Sequence, residues 1–411
     1  MTAELLVIVL PLAALIIAVA LLIRSSRKSR AQIDIDQRDI PNLPFPRHLD
    51  HSPTSIKVSH ISQEDQDRLV VDAYHQWKNA FILRDAEPGR SFLRWGVVKQ
   101  WLRYHITATS EGQGYALLCN VMMAGSEPDV QGTFDRLFSF CKAHPSQANE
   151  HLMSWQVTTD RYPSQKLGSS SQGDMMIAYA LLLADRQWGS AGKINYREEA
   201  SAVITALKQG CLDLENDTVL PGNWVGEMQP ADQQPVPSAC ISPAIFTAFH
   251  QASKDPIWKK VSTRMMGLVK HFQNADTGSV TLMPDLIDGA NPQGTDEDEE
   301  LSSENMSVIF HLALAGLLNG NEEAIGYLSG FTCMMLAQSA GDLGEDPGDP
   351  ALQSFCLMAA AVGKTTQDWL NRLWDLVAGQ ELDRQDPFGS TMRLITLILV
   401  SQNWMDPERK N

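Results

Sequence analysis

The sequence predicts an all-α protein: an (α/α)6 toroid of about twelve helices, preceded by one N-terminal transmembrane helix and a tether. Apolar residues recur at the spacing of helices that are buried on one side, and many breaks between these stretches contain Gly, Pro or Asn. No short repeat favours the alternative, a helical solenoid. The twelve amphipathic stretches lie near residues 64–84, 111–124, 129–143, 173–188, 194–213, 242–253, 256–272, 303–318, 321–338, 350–362, 366–378 and 389–402.

The first element of the chain is an apolar run from Leu5 to Ile23, which spans roughly 28 Å as a helix and is long enough to cross a membrane once. A cleavable signal peptide would need basic residues before this run and a small-x-small site after it. Here Met-Thr-Ala-Glu precedes the run, and a basic flank follows it. We therefore expect residues 1–30 to form an uncleaved anchor in the lipid bilayer; the basic flank comprises Arg24, Arg27, Lys28 and Arg30.

The second segment, residues 31–62, carries prolines among polar residues and shows no helical period. Such a composition is typical of a linker, or of a strap that lies over a domain. The helical domain is then expected at residues 63–411. The prolines of the segment are Pro41, Pro44, Pro46 and Pro53.

Composition limits the class of protein. With 44% hydrophobic and 20% charged residues, the 411-residue chain has the composition of a globular protein with a substantial core. The formal net charge of −16 argues against a nucleic-acid partner, because no basic surface is available to neutralise phosphates. The His and Cys residues lack metal-ligand spacing, and no phosphate loop or nucleophile elbow is present, so we expect no metal and no cofactor. Most of the six cysteines lie in apolar helical stretches, so we expect free, buried thiols and no disulfide framework; the six are Cys119, Cys141, Cys211, Cys240, Cys333 and Cys356.

Within the helical domain, the most informative segment is Thr-Ser-Glu-Gly-Gln-Gly-Tyr at residues 109–115. It places Glu111 at the start of a helix. Ser110 can cap this helix, and the two glycines allow another chain or a ligand to come close. A carboxylic acid held there, partly shielded by Tyr115, is suited to donate a proton. The alternative is that Glu111 only complements the helix dipole.

Downstream motifs favour the catalytic interpretation. Blocks at residues 133–140, 152–155 and 173–189 follow the Glu111 segment in order. This series resembles glycoside hydrolase family 8, a family of inverting, endo-acting enzymes that includes endoglucanases, xylanases and chitosanases. The resemblance extends from about Trp95 to Trp258 and is weaker to about Gly316. It implies the (α/α)6 fold, a polysaccharide or oligosaccharide substrate, and Glu111 as the general acid.

An inverting glycosidase also needs a base that activates water. The family's base aspartate, in a Tyr-Asp-Ala-x-Arg-like segment, corresponds to Glu304, and the arginine corresponds to Ser307. The alternative is that Glu304 completes a helix cap with Ser302 or Ser303. The acidic run at residues 296–300 is expected to be a solvated loop, although Asp298 or Glu300 could reach a cleft.

Further departures from the family pattern surround the expected cleavage point. Gln172 replaces an aspartate that the resemblance assigns to holding the sugar, and Ala239 replaces a tyrosine. Gln172 can still form hydrogen bonds with hydroxyl groups but cannot carry charge. Asp174 matches a second family aspartate and either contacts sugar or caps a helix at residues 175–186.

The remaining substrate-binding candidates are aromatic. Trp155 and Trp224 lie in loops or at helix starts of the matched blocks, where an indole could stack on a pyranose ring. Together with Tyr115, Gln172 and Asp174, they complete the predicted substrate-binding set. The tryptophans within helical patterns, Trp77, Trp188, Trp258, Trp369 and Trp374, are expected in the core.

Besides an all-helical interaction protein that has lost the groove, two functions remain open. The first is a membrane-anchored endo-acting hydrolase of a β-1,4-linked glucan or related polysaccharide, with Glu111 as acid and Glu304 as base. The second is a catalytically impaired glycan-binding or scaffolding component of a polysaccharide synthesis or export system. Either is expected at a bacterial inner membrane as a single-pass protein. The positive-inside rule places the domain in the cytoplasm, whereas polysaccharide hydrolysis favours the periplasm or exterior, so the side remains open.

Overall fold

The computed structural model describes residues 40–52, 55–100, 103–159, 167–225, 235–288, 302–341, 349–363 and 365–407. The chain divides into two units, residues 1–40 and 41–411, and the second contains the fold. The predicted anchor, Leu5 to Ile23, lies outside the described residues. Within the described ranges, no helix has both the length and the apolar character needed to span a bilayer.

Twelve α-helices occur in the described part of the chain, in agreement with the predicted number. They are α1 (Gln63–Phe81), α2 (Ser110–Met122), α3 (Val130–Ala143), α4 (Ser171–Trp188), α5 (Tyr196–Gly210), α6 (Pro243–Ser253), α7 (Ile257–Val269), α8 (Ser303–Asn319), α9 (Glu322–Gly341), α10 (Pro350–Val362), α11 (Gln367–Gly379) and α12 (Pro387–Val400).

Local sequence sets the start of these helices. The Ser62 side chain accepts a hydrogen bond from the backbone N–H of Asp65 at the start of α1. The Thr366 side chain accepts one from the backbone N–H of Trp369 at the start of α11. Asp349 and Asp386 cap α10 and α12, each followed by a proline at the first helical position. A proline fits there because the first N–H groups of a helix have no intrahelical partner.

The helices alternate between an inner and an outer layer. The even-numbered helices α2, α4, α8, α10 and α12 are buried along most of their length, whereas α1, α3 and α5 alternate buried and exposed residues. Each even-numbered helix packs against the next, and α12 packs against α2, so the inner helices close a ring. Each odd-numbered helix packs outside an inner one. This is the six-hairpin toroid that the sequence predicts.

A column of aromatic rings fills part of the ring's interior. Tyr115 on α2 stacks on Trp95 with ring centroids 6.2 Å apart and meets Phe310 on α8 edge-on at 6.3 Å. Phe310 in turn meets Trp404, which follows α12, at 5.6 Å. Tyr115, Phe310 and Trp404 are fully buried. The inside of the ring is therefore a packed core along this column.

The expectation of an almost wholly helical domain was wrong in detail, because short antiparallel strands connect the helices. Two predicted helices end early for this reason: residues 82–84 and 212–213 pair as strands instead of extending α1 and α5. The strands are β1 (Ile82–Arg84), β2 (Ser91–Leu93), β3 (Gly96–Gln100), β4 (Arg103–Thr109), β5 (Gln156–Thr158), β6 (Leu212–Asp213), β7 (Thr218–Val219), β8 (Pro235–Pro237) and β9 (Leu286–Asp288).

The segment before α1, residues 41–52 and 55–62, crosses the C-terminal ends of the inner helices, and we call it the strap. Five of its backbone N–H groups donate to carbonyls at or just beyond those ends, over 2.7–3.0 Å. Such carbonyls have no intrahelical donor, so the strap satisfies them. The pairs are Asn42 to Gln187, Phe45 to Ala124, Leu49 to Gln402, Ser52 to Leu317 and Ile56 to Ala361.

The side chain of Arg47 also connects the strap to the ring. Its guanidinium donates to the carbonyls of Leu43 (2.8 Å), Met122 (2.6 Å) and Asn403 (2.9 Å). Burial, and secondarily the charge of Arg186, lowers the pKa of Arg47 to about 9, so the group stays largely charged at neutral pH. A cation at the C-terminus of α2 also complements the helix dipole.

Candidate active site

Glu111 lies in the first turn of α2, at the end of the ring opposite the strap, and its side chain is partly exposed. Strand β4 leads directly into this turn. The cap is Thr109, whose side chain accepts from the N–H of Gly112, and not Ser110, which is the first helical residue. The backbone N–H of Ser110 donates instead to the carbonyl of Trp155 over 3.1 Å. These contacts fix the backbone around Glu111 at a helix N-terminus beside the start of β5.

Close packing between α2 and α4 depends on glycines. A Cβ atom on Gly114 would lie 2.7 Å from the Cβ of Met176, and one on Gly173 would lie 2.6 Å from the backbone nitrogen of Glu111. Contacts this short require the helices to separate. The glycines of both matched motifs therefore allow α4 to approach the first turn of α2, in agreement with the predicted close contact.

Gly173→Ala is expected to lower kcat on a glucan about tenfold or more and to cost about 1–3 kcal/mol of unfolding free energy, because the added methyl group displaces Glu111. Gly267→Ala on α7 is the matched control, since a Cβ there meets no atom within 4 Å. It should leave kcat unchanged and stabilise the protein slightly. Equal kinetics for the two variants would contradict the expected displacement.

Gln172, in the first turn of α4, contacts Glu111 directly. Its amide nitrogen lies 3.3 Å from Glu111 Oε1, 3.4 Å from the Tyr115 hydroxyl and 3.4 Å from the Ser307 hydroxyl. The N-terminal turns of α2, α4 and α8 therefore meet at one point. Two of the positions where the sequence departs from the family pattern, Gln172 and Ser307, are therefore direct neighbours.

Tyr115 is fully buried and lies beneath Glu111. Burial, followed by the charge of Glu111, raises the pKa of Tyr115 well above its usual value, so the phenol stays neutral. Its hydroxyl forms hydrogen bonds with Gln172 and Ser307. Tyr115 thus packs beside Glu111 in the core, and its burial disfavours the direct sugar contact expected from the sequence.

Asp174 is also buried, and its carboxyl group binds a neighbouring loop. It is 1% exposed, and its Oδ1 accepts from the backbone N–H of Met153 over 2.9 Å. Burial raises the pKa of Asp174 well above its usual value, and the Met153 N–H opposes the shift. The predicted capping role was wrong, because α4 begins at Ser171. Burial likewise disfavours contact with a sugar in an open groove.

Trp155 and Trp224 remain available to a ligand, with 42% and 46% of their surfaces exposed. Both flank Gly168: the Trp155 N–H donates to the Gly168 carbonyl over 2.9 Å, and a Cβ on Gly168 would lie 2.5 Å from the Trp224 ring. The Trp155 carbonyl also holds the first turn of α2. The structure therefore brings two exposed indoles and the partly exposed Glu111 to the same end of the ring.

The candidates for the second carboxylate, the base, have side chains outside the described residues. Glu304 is in the first turn of α8, but its side chain, like Asp298 and Glu300, lies outside the described residues. The proposed cap role of Glu304 was wrong, because Asn305 is the partner of Ser302 in the capping box. Asp285, which belongs to none of the matched motifs, accepts from the Asn305 N–H over 3.1 Å and from the Ser302 hydroxyl.

Other residues near Glu111 were not selected for the site from the sequence. Trp95 stacks on Tyr115, and Cys240, in the 3-10 turn before α6, interacts electrostatically with Glu111. Ala239, beside it, is buried. Only tertiary packing brings these residues together. Among the described residues, no cluster of His, Cys, Asp and Glu could hold a metal ion.

Comparison with known proteins agrees with this geometry. A family model described as "Glycosyl hydrolases family 8" matches residues 54–338. The chain is 27% identical over 386 residues to a beta-glucanase of Niallia circulans, covering 89% of this chain and 91% of that protein. It is 26% identical to an endoglucanase of Bacillus sp. strain KSM-330, covering 89% and 82%.

Among solved structures, the apo beta-1,3-1,4-glucanase of Paenibacillus sp. X4 superposes with a TM-score of 0.79 at 26% identity, covering 89% of this chain and 100% of that one. A cold-adapted family 8 xylanase superposes with a TM-score of 0.67 at 14% identity and shows the shared fold alone. The matched model spans more than half of the sequence and includes Glu111, Gln172 and both exposed tryptophans. The chain therefore belongs to glycosyl hydrolase family 8 and is a glycoside hydrolase.

Proposed function

We propose that this protein is an endo-acting hydrolase of a β-1,4-linked glucan or a related polysaccharide, which it cleaves with inversion. The observation that carries the proposal is the position of Glu111: partly exposed, at a helix N-terminus, within 3.3 Å of the Gln172 amide and beside Trp155. The names of the similar proteins, beta-glucanase, endoglucanase and beta-1,3-1,4-glucanase, support a glucan substrate.

In the proposed mechanism, Glu111 protonates the glycosidic oxygen while a carboxylate activates water on the opposite face of the sugar. Glu304 is the first candidate for that base, with Asp298 and Glu300 as the alternatives from the neighbouring acidic run. The water's oxygen forms the new bond to the anomeric carbon, and its proton passes to the base. The bond electrons leave with the aglycone oxygen, which takes the proton of Glu111.

The purified protein, incubated with mixed-linkage β-glucan, carboxymethyl cellulose, xylan and chitosan, tests this function. We expect new reducing ends and a rapid fall in viscosity on at least one glucan, because internal cleavage shortens chains quickly. Proton NMR should show the α-anomer first. Tight binding of an oligosaccharide without turnover would favour the alternative, a glycan-binding or scaffolding component of a synthesis or export system. The substitutions at Gln172, Ala239 and Ser307 and the basic flank after the apolar run motivate this alternative.

Replacing either exposed indole is expected to weaken polymer binding. Trp155→Ala and Trp224→Ala should each raise KM for the preferred glucan about tenfold, equivalent to about 1.4 kcal/mol, because a flat stacking surface is lost. The kcat should change little, since neither indole takes part in proton transfer. Steady-state kinetics separate the two constants, and unchanged KM values in both variants would remove the tryptophans from the proposed groove.

The membrane part of the proposal rests on the sequence. We propose that Leu5 to Ile23 anchors the enzyme in a bacterial inner membrane, with the domain in the periplasm, where a polysaccharide substrate is accessible. The basic flank after the run favours the cytoplasmic side instead. Alkaline phosphatase fused at the C-terminus decides between the two sides, because it is active only after export; an inactive fusion would place the domain in the cytoplasm.

A further inference from the structure

The amide group of Gln172 has more acceptors than hydrogens. One nitrogen, with two hydrogens, lies 3.3–3.4 Å from three oxygens: Glu111 Oε1, the Tyr115 hydroxyl and the Ser307 hydroxyl. All three distances exceed the 2.9–3.0 Å at which N–H···O bonds are most common by about 0.4 Å. The three distances are nearly equal, so the geometry does not favour a hydrogen bond to one acceptor over the others. At most two can be satisfied at a time.

The charge of the acceptor decides which bonds form. Hydrogen bonds to a carboxylate are roughly twice as strong as those between neutral groups. Burial keeps the Tyr115 phenol neutral, and it also raises the pKa of the Cys240 thiol, which interacts with Glu111 from the α6 side. Ser307 is neutral as well. Within this group of contacts, Glu111 is the member that changes charge during the reaction.

We propose that Gln172 is a positioning residue that stabilises Glu111 selectively after it has given up its proton. While Glu111 is protonated, the amide hydrogens are shared with the hydroxyls of Tyr115 and Ser307. When the proton has passed to the glycosidic oxygen, one N–H turns fully to the new carboxylate. No proton leaves Gln172. The inference rests on the proposed function only in assigning the acid role to Glu111.

The proposed stabilisation of deprotonated Glu111 requires an amide at position 172. A glutamate has nearly the same shape but would place a second carboxyl about as close to Glu111 as the amide is now. Two carboxyls at such a distance share one proton, because both cannot ionise easily. Gln172→Glu is therefore expected to make Glu111 hold its proton to higher pH. Gln172→Met keeps the length but offers no donor, so it should act in the same direction with a smaller effect.

Infrared difference titration measures the protonation midpoint of Glu111 whether or not the protein turns over, with the same variant carrying Glu111→Gln as the blank. In Gln172→Glu the two carboxyls titrate as a pair, and we expect the upper step of the pair to lie about one pH unit or more above the wild-type midpoint. In Gln172→Met the midpoint of Glu111 should rise by less. The alkaline limb of the pH profile of kcat should move with it. Gln209→Glu adds the same charge on the exposed face of α5 and should move neither.

The outcomes separate the two proposals. A midpoint that is the same in the wild type, Gln172→Glu and Gln172→Met overturns the role of Gln172. Shifted midpoints in a protein that hydrolyses no glycan support that role and refute the proposed function instead. Should Gln172→Glu fail to fold, as judged by circular dichroism, the methionine variant alone decides, because it introduces no charge.

Discussion

Glu111→Gln is expected to reduce kcat on the preferred glucan by about 10²- to 10⁴-fold, the usual contribution of a general acid. The amide keeps the shape of the side chain and its place beside Gln172, but it has no acidic proton to give to the leaving oxygen. Stability should change by less than about 0.5 kcal/mol, since the partly exposed side chain is not part of the core. Reducing-end assays on the wild type and variant, at several pH values, measure the loss.

A second substrate distinguishes loss of the acid from general damage. An aryl glycoside with a strongly acidic phenol as its leaving group needs little protonation, so Glu111→Gln should hydrolyse it with a much smaller defect. Glu150→Gln, an exposed substitution of the same type, is the control and should behave as wild type on both substrates. An equal loss on polymer and aryl glycoside would contradict the acid role of Glu111.

Arg47→Ala is expected to cost about 3 kcal/mol or more of unfolding free energy, the largest stability effect that we predict for one side chain. The substitution removes the donor to carbonyls of Leu43, Met122 and Asn403 and leaves these acceptors short of a partner. Each buried polar group left unsatisfied costs roughly 1–3 kcal/mol. Thermal and urea unfolding, followed by circular dichroism, measure the effect.

Arg84→Ala is the matched control for this prediction. Arg84 is exposed at the end of β1, and its loss should change stability by no more than about 0.5 kcal/mol. Arg47→Lys should fall between the two, because an ammonium group keeps the charge but cannot reach several carbonyls in one plane. If Arg47→Ala unfolds with the same midpoint as wild type, the strap does not stabilise the ring through this residue.

The fold could be predicted well because its main signal is local. The inner helices are apolar over most of their length and the outer ones on one side, and caps such as Asp386 followed by Pro387 mark helix starts in the sequence. The strands were missed because several have only two or three residues, too few for an alternating pattern to appear. Their pairing depends on contacts across turns.

The site was predictable in part. The position of Glu111 at a helix start could be predicted from one heptapeptide, because capping residues and two glycines surround it; its catalytic role stays a prediction. Gln172 and Ser307 are 135 residues apart in the chain, and only the closed ring makes them neighbours. Asn305, rather than Glu304, forms the capping box of α8; both fit the sequence pattern, and the positions of the atoms decide between them.

The aromatic column and the strap together have a consequence for how a polymer enters and leaves. The column runs from Tyr115 beneath the acid to Trp404, whose carbonyl contacts His51 of the strap. The described interior of the ring is therefore closed along this column, and we expect a glycan chain to bind across the end of the ring that carries Glu111, with both chain ends free. Such a geometry suits attack in the middle of a long chain, and it makes chain ends unnecessary for recognition.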